Sequence, residues 1–261
     1  MRADIFLFSR GFARSRTHAA ELIKNGVEIS GKKITKASQD ISEKTEDSEI
    51  KITEPSKYVS RGGLKLEAAL TAFSVETEGV TALDVGASTG GFTDCLLKHG
   101  AQKVYAVDVG HGQLAGELLS DSRVVNLEGI NAKFLSPELI GRGEFPLAVS
   151  DVSFISQSLI YTPVASMLRE GGKFISLVKP QFECGRKNLS SGGICKDKKV
   201  HLQVVAELFE KAKLSGLFPA GFTRSPITGG DGNTEYLALF VKNGGGTGVS
   251  EAEIKKCILG G

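Results

Sequence analysis

The chain has 261 residues, 41% of them hydrophobic, and a formal net charge of +2, which suffices for one α/β domain plus a small module. It has no apolar run near the length of a membrane span, and its start, MRADIFLFSR, lacks the apolar stretch and cleavage site of a signal peptide. Because Cys95, Cys184, Cys195 and Cys257 form no C-x-x-C pair and no metal-binding spacing, we expect a reduced, cytoplasmic protein without zinc.

Residues 2–36 are strongly basic, with eight Lys or Arg residues against three acids. Ser15 is a suitable N-cap for a helix that runs to about Lys24, and residues 27–30 and 33–35 are predicted to form a β-hairpin. The basic side chains then fall on a helix start and a hairpin tip, as in a protein that binds an RNA backbone. The predicted RNA-binding residues of this segment are Arg2, Arg10, Arg14, Arg16, Lys24, Lys32 and Lys33.

The same segment resembles the S4 RNA-binding module of ribosomal protein S4, pseudouridine synthases and tyrosyl-tRNA synthetases. The residues that carry the resemblance are Arg2-Ala3-Asp4, Arg14-Ser15-Arg16, Ala19, Leu22-Ile23, Gly26, Ser30-Gly31 and Lys36. The resemblance implies an S4-like domain over residues 1–55, closed by a strand at 49–53, and an interdomain linker at 56–60. A solvated basic face on a purely structural mini-domain is the alternative.

A helix is predicted from Leu64 to Phe73, and it carries Lys65 in its first turn. A cation at a helix N-terminus opposes the helix dipole, so this placement costs stability and indicates a role in a reaction or in anion binding. Arg61, just before the helix, is a further predicted RNA-binding residue.

Residues 81–110 are predicted as strand, glycine-rich turn, helix and strand, with strands at 82–85 and 104–107 and a helix at 92–99. Gly86, Gly90 and Gly91 interrupt the apolar pattern where a turn must bring the backbone close to a ligand. Two parallel strands joined through a helix, with Asp108 closing the second, are typical of the nucleoside half-site of a doubly wound sheet.

Three kinds of ligand fit such a turn. A dinucleotide is disfavoured, because its G-x-G-x-x-G fingerprint needs a glycine where this chain has Ser88. The turn also matches the hydrolase elbow G-x-S-x-G, but neither His111 nor His201 lies in a recognisable strand-end setting. S-adenosylmethionine remains, with Asp108 placed for the ribose hydroxyls and Asp84 below the methionine ammonium. A turn that only closes a tight packing contact is the alternative. The predicted cofactor-binding residues are Asp84, Gly86, Ala87, Ser88, Thr89, Gly90, Gly91, Phe92, Asp108, Val109, Asn131 and Asp151.

Further strands are predicted at 124–127, 147–150 and 173–178, with a helix at 159–168 and a turn at residues 170–172. A basic, glycine-rich loop follows, whose Arg186 and Lys187 are predicted to bind RNA. A helix at 200–215, strands at 221–224 and 235–241, and a helical segment at 250–258 complete the chain. The predicted fold class is α/β, a Rossmann-like sheet with helices on both faces, preceded by a small α+β domain.

Four charged residues are predicted to meet at the carboxyl edge of this sheet, namely Lys65, Asp151, Lys179 and Glu235. In such a cluster each ionised group is tolerable because the others compensate its charge. A ribose hydroxyl is a poor nucleophile at neutral pH, and Lys179 is the predicted group that accepts or shares its proton. Asp151 would hold Lys179 in position, while Lys65 and Glu235 complete the network. Four separate surface charges are the alternative.

From Tyr58 to Val241 the chain resembles the FtsJ-like ribose 2′-O-methyltransferases, whose catalytic Lys-Asp-Lys-Glu tetrad matches these four residues in order and spacing. With the S4-like module in front, the whole chain is similar to the TlyA family, whose members are known both as haemolysin A and as ribosomal RNA cytidine-2′-O-methyltransferase. The resemblance implies a Rossmann-like methyltransferase domain over 61–245 and a helical tail over 246–261. It also implies S-adenosylmethionine as cofactor and ribosomal RNA or ribosomal subunits as partner. The matching motifs are Ser60-Arg61-Gly62 and the runs at 87–93, 106–110, 153–156, 178–183 and 232–236.

Three positions depart from the family pattern. Ser56 and Tyr58 stand where the linker often has arginine and tryptophan, and Lys133 replaces an arginine, which keeps the charge but loses the planar fork. The sequence predicts S-adenosylmethionine-dependent 2′-O-methylation of cytidine in ribosomal RNA. One alternative is a membrane-active cytolysin, for which no span, barrel strand or export signal is visible. The other is a non-catalytic ribosome-assembly factor, which the intact tetrad argues against.

Overall fold

The structure is a computed structural model that describes residues 1–13, 15–52, 57–244 and 248–260, apart from the side chains of Glu21, Lys24 and Asn25. It divides into two compact units, Met1–Lys57 and Tyr58–Gly261, which we call the N-terminal and the C-terminal unit. The predicted domain limits at residues 55, 60 and 245 stay predictions. Part of the predicted strand at 49–53, part of the linker at 56–60 and the start of the tail at 246 lie outside the described residues.

The N-terminal unit consists of two helices and a three-stranded antiparallel sheet. Its elements are α1 (Ala3–Ser9), α2 (Arg16–Gly26), β1 (Val27–Ile29), β2 (Lys32–Ile34) and β3 (Ile50–Ile52). The strand order is β2-β1-β3, and Val27 pairs with Ile34 on one side and with Ile52 on the other. Apolar side chains of both helices and of the sheet form one core, which includes Phe6 and Leu22.

Local capping explains which of these helices could be predicted. The hydroxyl of Ser15 accepts a hydrogen bond from the backbone N–H of His18 at 3.1 Å, which confirms it as the N-cap of α2. The short helix α1 was not predicted. Its N-cap, Arg2, makes no side-chain capping bond, so the sequence carries no start signal there.

Asp4 is a buried acid that joins the two helices of the N-terminal unit. It lies in α1 with an exposed fraction of 4%, and its carboxylate accepts hydrogen bonds from Arg2 Nε at 3.0 Å and from Arg16 Nη2 at 2.9 Å. The hydrogen bond from Arg2, opposed by burial and reinforced by Arg16, lowers the pKa of Asp4 to about 2. The folded unit therefore favours the ionised carboxylate.

The C-terminal unit is built on one seven-stranded sheet. Its strands are β4 (Thr81–Val85), β5 (Lys103–Val107), β6 (Val124–Leu127), β7 (Phe145–Ser150), β8 (Leu168–Val178), β9 (Leu217–Arg224) and β10 (Tyr236–Lys242). Its helices are α3 (Gly62–Ala72), α4 (Gly91–Lys98), α5 (Gly116–Leu119), α6 (Pro137–Ile140), α7 (Ser158–Met167), α8 (Pro180–Glu183), α9 (Lys198–Leu214) and α10 (Glu251–Leu259).

The strand order is β6-β5-β4-β7-β8-β10-β9. Neighbouring strands from β6 to β8 pair in parallel, whereas β10 runs antiparallel to both β8 and β9. As a result, the start of β10 and the end of β9 lie at the edge where the parallel strands end. We call this the carboxyl edge of the sheet.

Helices cover both faces of this sheet, which confirms the predicted α/β class. One core cluster contains Leu83 together with Val164 of α7 and Phe209 of α9. The other contains Ala82 together with Leu66 of α3. Successive residues of β4 thus face opposite sides, as the two-residue period of a strand requires.

The predicted turn at residues 170–172 is wrong, because β8 is continuous from Leu168. Phe145 pairs with Leu168 while Leu147 pairs with Lys173, so β8 carries extra residues opposite β7 and bulges there. Gly171, with φ of 68°, takes the left-handed conformation that the bulge needs. The glycines were correctly noticed, but they mark a bulge within β8 rather than a turn that precedes the strand.

Among the described residues, no helix combines the length and the apolar character needed to cross a membrane.

Replacement of Asp4 by Asn tests the buried acid. Because the folded pKa lies below the ordinary value of 3.8, the stabilisation by ionised Asp4 is complete above about pH 4 and is lost as the pH falls towards 2. We expect the wild-type protein to melt above Asp4→Asn at pH 5, with the difference shrinking between pH 4 and pH 2. Thermal unfolding followed by circular dichroism measures this, with exposed Glu43→Gln as control. A constant difference over this range would contradict the assignment.

Candidate active site

The turn after β4 needs glycine because the chain passes close to the segment that follows β7. Gly86 has φ of 83°, and a Cβ atom there would lie 3.1 Å from Val152 Cγ1 and 3.3 Å from the carbonyl oxygen of Asp151. Ser88 also has a positive φ, of 48°, although it carries a side chain. Gly90, with φ of 95°, leaves no room for a Cβ against Leu118. Other parts of the chain therefore approach the backbone of the turn closely at both Gly86 and Gly90.

Asp108, which follows β5, is fixed by backbone donors. One of its carboxylate oxygens accepts a hydrogen bond from the N–H of Ser88 at 2.8 Å, and the other from the N–H of Gly110 at 2.7 Å. These contacts tie the glycine-rich turn to the end of the neighbouring strand. Each oxygen keeps a lone pair for a further donor such as a hydroxyl group.

Asp84 lies inside β4 and is fully buried. The Thr93 hydroxyl donates to Asp84 Oδ2 at 2.6 Å, whereas the buried Oδ1 accepts no hydrogen bond from the part of the chain that the structure describes. Burial raises the pKa of Asp84 to about 7, with Thr93 acting in the opposite direction and Asp151 adding to the rise. A buried carboxyl group with one unsatisfied oxygen is suited to receive a positively charged ligand group.

Two adjoining cavities follow the carboxyl edge, with volumes of about 370 Å³ and 170 Å³. Both are lined by Gly86, Ser88, Asp151 and Ser153, so they form one crevice. The structure places ten predicted cofactor-binding residues on its walls, whereas Asp84 and Gly90 are not among the residues that line it. The ten are Gly86, Ala87, Ser88, Thr89, Gly91, Phe92, Asp108, Val109, Asn131 and Asp151.

The four residues of the predicted tetrad form two ion pairs. Lys65 Nζ lies 2.5 Å from Glu235 Oε2, and Lys179 Nζ lies 2.6 Å from Asp151 Oδ1. Both pairs are largely shielded from solvent, with side-chain exposures of 10% and 3% in the first and 9% and 24% in the second. Four different elements supply them, because Lys65 is in α3, Asp151 follows β7, Lys179 follows β8 and Glu235 precedes β10.

Ser153 and Gln181 extend this arrangement and were not predicted. Lys179 Nζ donates to Ser153 Oγ at 2.6 Å, and Gln181 Nε2 donates to Glu235 Oε1 at 3.4 Å. Each stands two residues after a predicted catalytic residue, within motifs already noted. Both are polar residues within those motifs, and this is the sequence signal that could have identified them.

Phe154 is a second feature that the sequence analysis missed. It lines the larger cavity, its exposed fraction is 88%, and its φ of 64° is unusual for a residue with a bulky side chain. Its ring centroid lies 5.1 Å from that of Phe182, whose ring in turn lies 5.6 Å from Lys179 Nζ. An exposed aromatic ring in a strained conformation beside a crevice is typical of a binding surface.

In the N-terminal unit, the predicted RNA-binding residues fall into two groups. Arg2 and Arg16 are paired with Asp4, and Arg10 is paired with Asp47 at 3.0 Å. Lys32 and Lys33 are exposed on the hairpin. Arg14 and the side chain of Lys24 lie outside the described residues.

In the C-terminal unit, the predicted RNA-binding residues are all exposed. Arg61 donates to the carbonyl oxygen of Thr228 at 2.8 Å. Arg186 and Lys187 lie in the 3₁₀ turn Arg186–Asn188. The loop that follows β8 thus presents two cations without forming a long helix.

The fold is that of a Rossmann-like methyltransferase. Its features are the strand order, the antiparallel strand β10 and the crevice at the carboxyl edge. The FtsJ-like methyltransferase family model matches residues 58–242, and the S4 domain model matches residues 1–47. The chain belongs to the FtsJ-like methyltransferases that carry an N-terminal S4 domain, the TlyA family.

Its relatives bear two kinds of name. Hemolysin A of Brachyspira hyodysenteriae is 42% identical over 92% of this chain and its own full length. The 16S/23S rRNA (cytidine-2′-O)-methyltransferase TlyA of Mycobacterium tuberculosis is 42% identical over 90% of this chain and 88% of its own. A solved structure from Streptococcus thermophilus that carries the hemolysin name is 38% identical and covers 100% of this chain and 94% of that one, with a TM-score of 0.77.

Single and double substitutions of Lys65 and Glu235 test the buried ion pair. Lys65→Met or Glu235→Gln alone leaves one buried charge without its partner, which costs about 3 kcal/mol in the free energy of unfolding. The double variant removes both charges, so we expect it to be less destabilised than the sum of the single variants. Urea unfolding of the full chain measures these values. Glu210→Gln, which breaks the exposed 2.7 Å pair with Lys213, is the control and should change little.

Proposed function

We propose that this protein transfers the methyl group of S-adenosylmethionine to the 2′-hydroxyl of a cytidine ribose in ribosomal RNA. The observation that carries the proposal is the position of Lys179. Its Nζ lies 2.6 Å from both Asp151 Oδ1 and Ser153 Oγ, on the wall of the crevice. The choice of cytidine and of ribosomal RNA is supported by the name of the Mycobacterium tuberculosis relative.

The side chains of the crevice suit S-adenosylmethionine better than a dinucleotide. Asp84 and Asp108 would repel a pyrophosphate, whereas the unsatisfied Asp84 Oδ1 can accept from an ammonium group and Asp108 from ribose hydroxyls. Asn131, on the wall of the larger cavity, offers an amide for the adenine. Gly86 keeps the floor of the crevice free of side-chain atoms.

The bound cofactor supplies a methyl group that is already activated by the sulfonium. The task of the protein is to hold the ribose hydroxyl and manage its proton. Asp151 and Ser153 fix the Lys179 side chain from two directions, so it can orient the hydroxyl oxygen and, as the neutral amine, accept its proton. Lys65 and Glu235, with Gln181 on the second oxygen of Glu235, form the neighbouring charged pair that completes the site.

The RNA would be recognised by cations and by stacking. Exposed Lys32 and Lys33 on the N-terminal unit, and Arg186 and Lys187 on the C-terminal unit, suit phosphate groups. Phe154 offers an open aromatic face beside the crevice, on which an unstacked base can lie. Single-stranded or looped RNA is the kind of substrate that such a surface accommodates.

Replacement of Lys179 by Ala tests the catalytic role. We expect methyl transfer to fall by at least about 100-fold, because the group that handles the hydroxyl proton is lost, while cofactor affinity stays within about threefold. Transfer of radiolabelled methyl from S-adenosylmethionine to purified ribosomal subunits and free ribosomal RNA measures this, with exposed Lys211→Ala as control. Full activity in Lys179→Ala would refute the role of Lys179. Cofactor binding without label on any RNA in the wild type would refute the proposed substrate.

Replacement of Gly86 by Ala tests the cofactor site, and Gly112→Ala is its matched control. Both glycines have positive φ, 83° and 62°, so both variants carry the backbone cost of a left-handed alanine. Only Gly86→Ala places a methyl group against Val152 and Asp151, since nothing lies within 4 Å of a Cβ at Gly112. We expect S-adenosylmethionine affinity to fall at least about tenfold in Gly86→Ala and little in Gly112→Ala, by isothermal titration calorimetry. Equal affinities would place the cofactor elsewhere.

A further inference from the structure

A third cavity, of about 280 Å³, lies outside the crevice. It is bounded by the segment before α9, by the end of β9, by the start of β10 and by Ile258 of α10. Three exposed cationic side chains line it, those of Lys196, Lys198 and Arg224, and its described lining contains no Asp or Glu. We call it the basic pocket.

The basic pocket lies at the same edge of the sheet as the crevice. Both β8 and β9 are antiparallel to β10, so Arg224 at the end of β9 and Lys179 after β8 come to the same edge. Thr234 and Tyr236 line the basic pocket, whereas Glu235 between them contacts Lys65. One short segment therefore separates the two sites.

A buried histidine, His201, lines the basic pocket together with the cations. His201 is buried at its base, where its ring nitrogens are bonded to the Tyr236 hydroxyl at 2.9 Å and to the Cys195 carbonyl oxygen at 3.0 Å. Burial lowers the pKa of His201; the Cys195 carbonyl oxygen and Asp197 act in the opposite direction, and Arg224 and Lys198 add to the lowering. The histidine is thus a buried, hydrogen-bonded side chain, and the cationic groups among the described lining residues are those of the two lysines and the arginine.

Two acids adjoin lining residues of the basic pocket in the sequence but do not line it themselves. Asp197 stands between the two lysines, and its Oδ1 accepts the backbone N–H of Lys199 at 2.8 Å as the N-cap of α9. Asp231 is exposed next to Gly232. Lys198 Nζ donates to the Leu259 carbonyl oxygen at 3.3 Å, which holds that cation at the rim of the pocket.

Asn233 couples the basic pocket to the crevice. This buried side chain accepts a hydrogen bond from the N–H of Cys195 at 3.0 Å and donates to the Gly193 carbonyl oxygen at 3.2 Å. It thereby fixes the loop that carries Lys196 to the segment that carries Glu235. A ligand group held in the basic pocket is consequently held at a set distance from the tetrad.

We propose that the basic pocket binds a backbone phosphate of the RNA strand whose ribose is methylated. The inference rests on the proposed function and adds to it a phosphate site that holds the strand beside the target nucleotide. Lys and Arg side chains around a concave site, with the Thr234 hydroxyl as an additional donor, suit a phosphodiester. The contact is independent of base identity, so it would set the position of the strand while the crevice selects the reacting nucleotide.

The test compares Lys196→Gln/Arg224→Gln with the control Lys211→Gln/Lys213→Gln. The control removes the same charge from the far end of α9, roughly 20 Å away at 1.5 Å per residue. We expect KM for ribosomal subunits to rise about tenfold in the first variant, with kcat and S-adenosylmethionine affinity unchanged, and the control to match the wild type. Arg224→Lys should restore most of the affinity that Arg224→Gln loses, which a merely structural effect would not do.

Direct binding separates this inference from the proposed function. Fluorescence anisotropy with a labelled single-stranded oligoribonucleotide should show a salt slope about 0.7 smaller in Lys196→Gln/Arg224→Gln for one lost phosphate contact. This readout does not require methyl transfer, so it stands even if the wild type labels no RNA. An unchanged slope together with an unchanged KM would overturn the phosphate site. Saturable binding of inorganic phosphate that the variant loses, with RNA binding unchanged, would overturn it in favour of a small anion.

Discussion

The arrangement of charged residues at the carboxyl edge depends on the reversed direction of β10. If β10 ran parallel to β8, its first residues would lie at the opposite edge of the sheet and Glu235 could not reach Lys65. Because it is antiparallel to both neighbours, its start lies beside the ends of β7 and β8, which supply Asp151 and Lys179. The same reversal brings the end of β9 to this edge, and with it Arg224 and the basic pocket. The antiparallel direction of β10 thus brings the residues of both sites to the same edge of the sheet.

Charge pairing then decides how the edge can be both buried and polar. A lone lysine in the first turn of α3 would meet an unfavourable helix dipole and lose hydration. The ion pair with Glu235 at 2.5 Å compensates both costs, while Lys179 is satisfied by Asp151 and Ser153. Asp84 is different, because its buried Oδ1 has no hydrogen-bond donor within the described chain and its pKa is raised to about 7. The four charges of the predicted tetrad are thus paired, whereas one oxygen of Asp84 has no partner among the described residues.

The N-terminal unit uses the same principle for another purpose. Buried Asp4 holds Arg2 and Arg16, so these guanidinium groups are oriented by the fold rather than left to move freely in solvent. Lys32 and Lys33 remain exposed on a short hairpin. Oriented and free cations together suit an irregular RNA surface, where part of the binding depends on shape and part on charge.

Most of the elements, and the four charged residues that come to the carboxyl edge, could be predicted from the sequence. Strands such as β4 and β5 are short apolar runs, α2 has a capping serine, and the glycine-rich turn has residue types that fit few ligands. These signals are local, because each depends only on residues that are close together in the sequence. The helix α1 and the bulge in β8 were not predicted, because neither has such a local signal. The helix α1 has no side-chain cap, and the bulge depends on the pairing of β8 with β7.

The contact of Lys179 with Asp151 was expected from the sequence, whereas the tertiary structure decided the rest of the pairing. Nothing in the spacing of Lys65 and Glu235, which are 170 positions apart, determines that they meet each other at 2.5 Å, or that Ser153 is a further partner of Lys179. Nor could spacing indicate that Asp84 keeps an unsatisfied oxygen, or that Lys196, Lys198 and Arg224 surround one cavity. Such features depend on strand direction and on contacts between distant segments. The sequence determined which groups are present and at which strand ends they stand, and the packing of the sheet decided which of them touch.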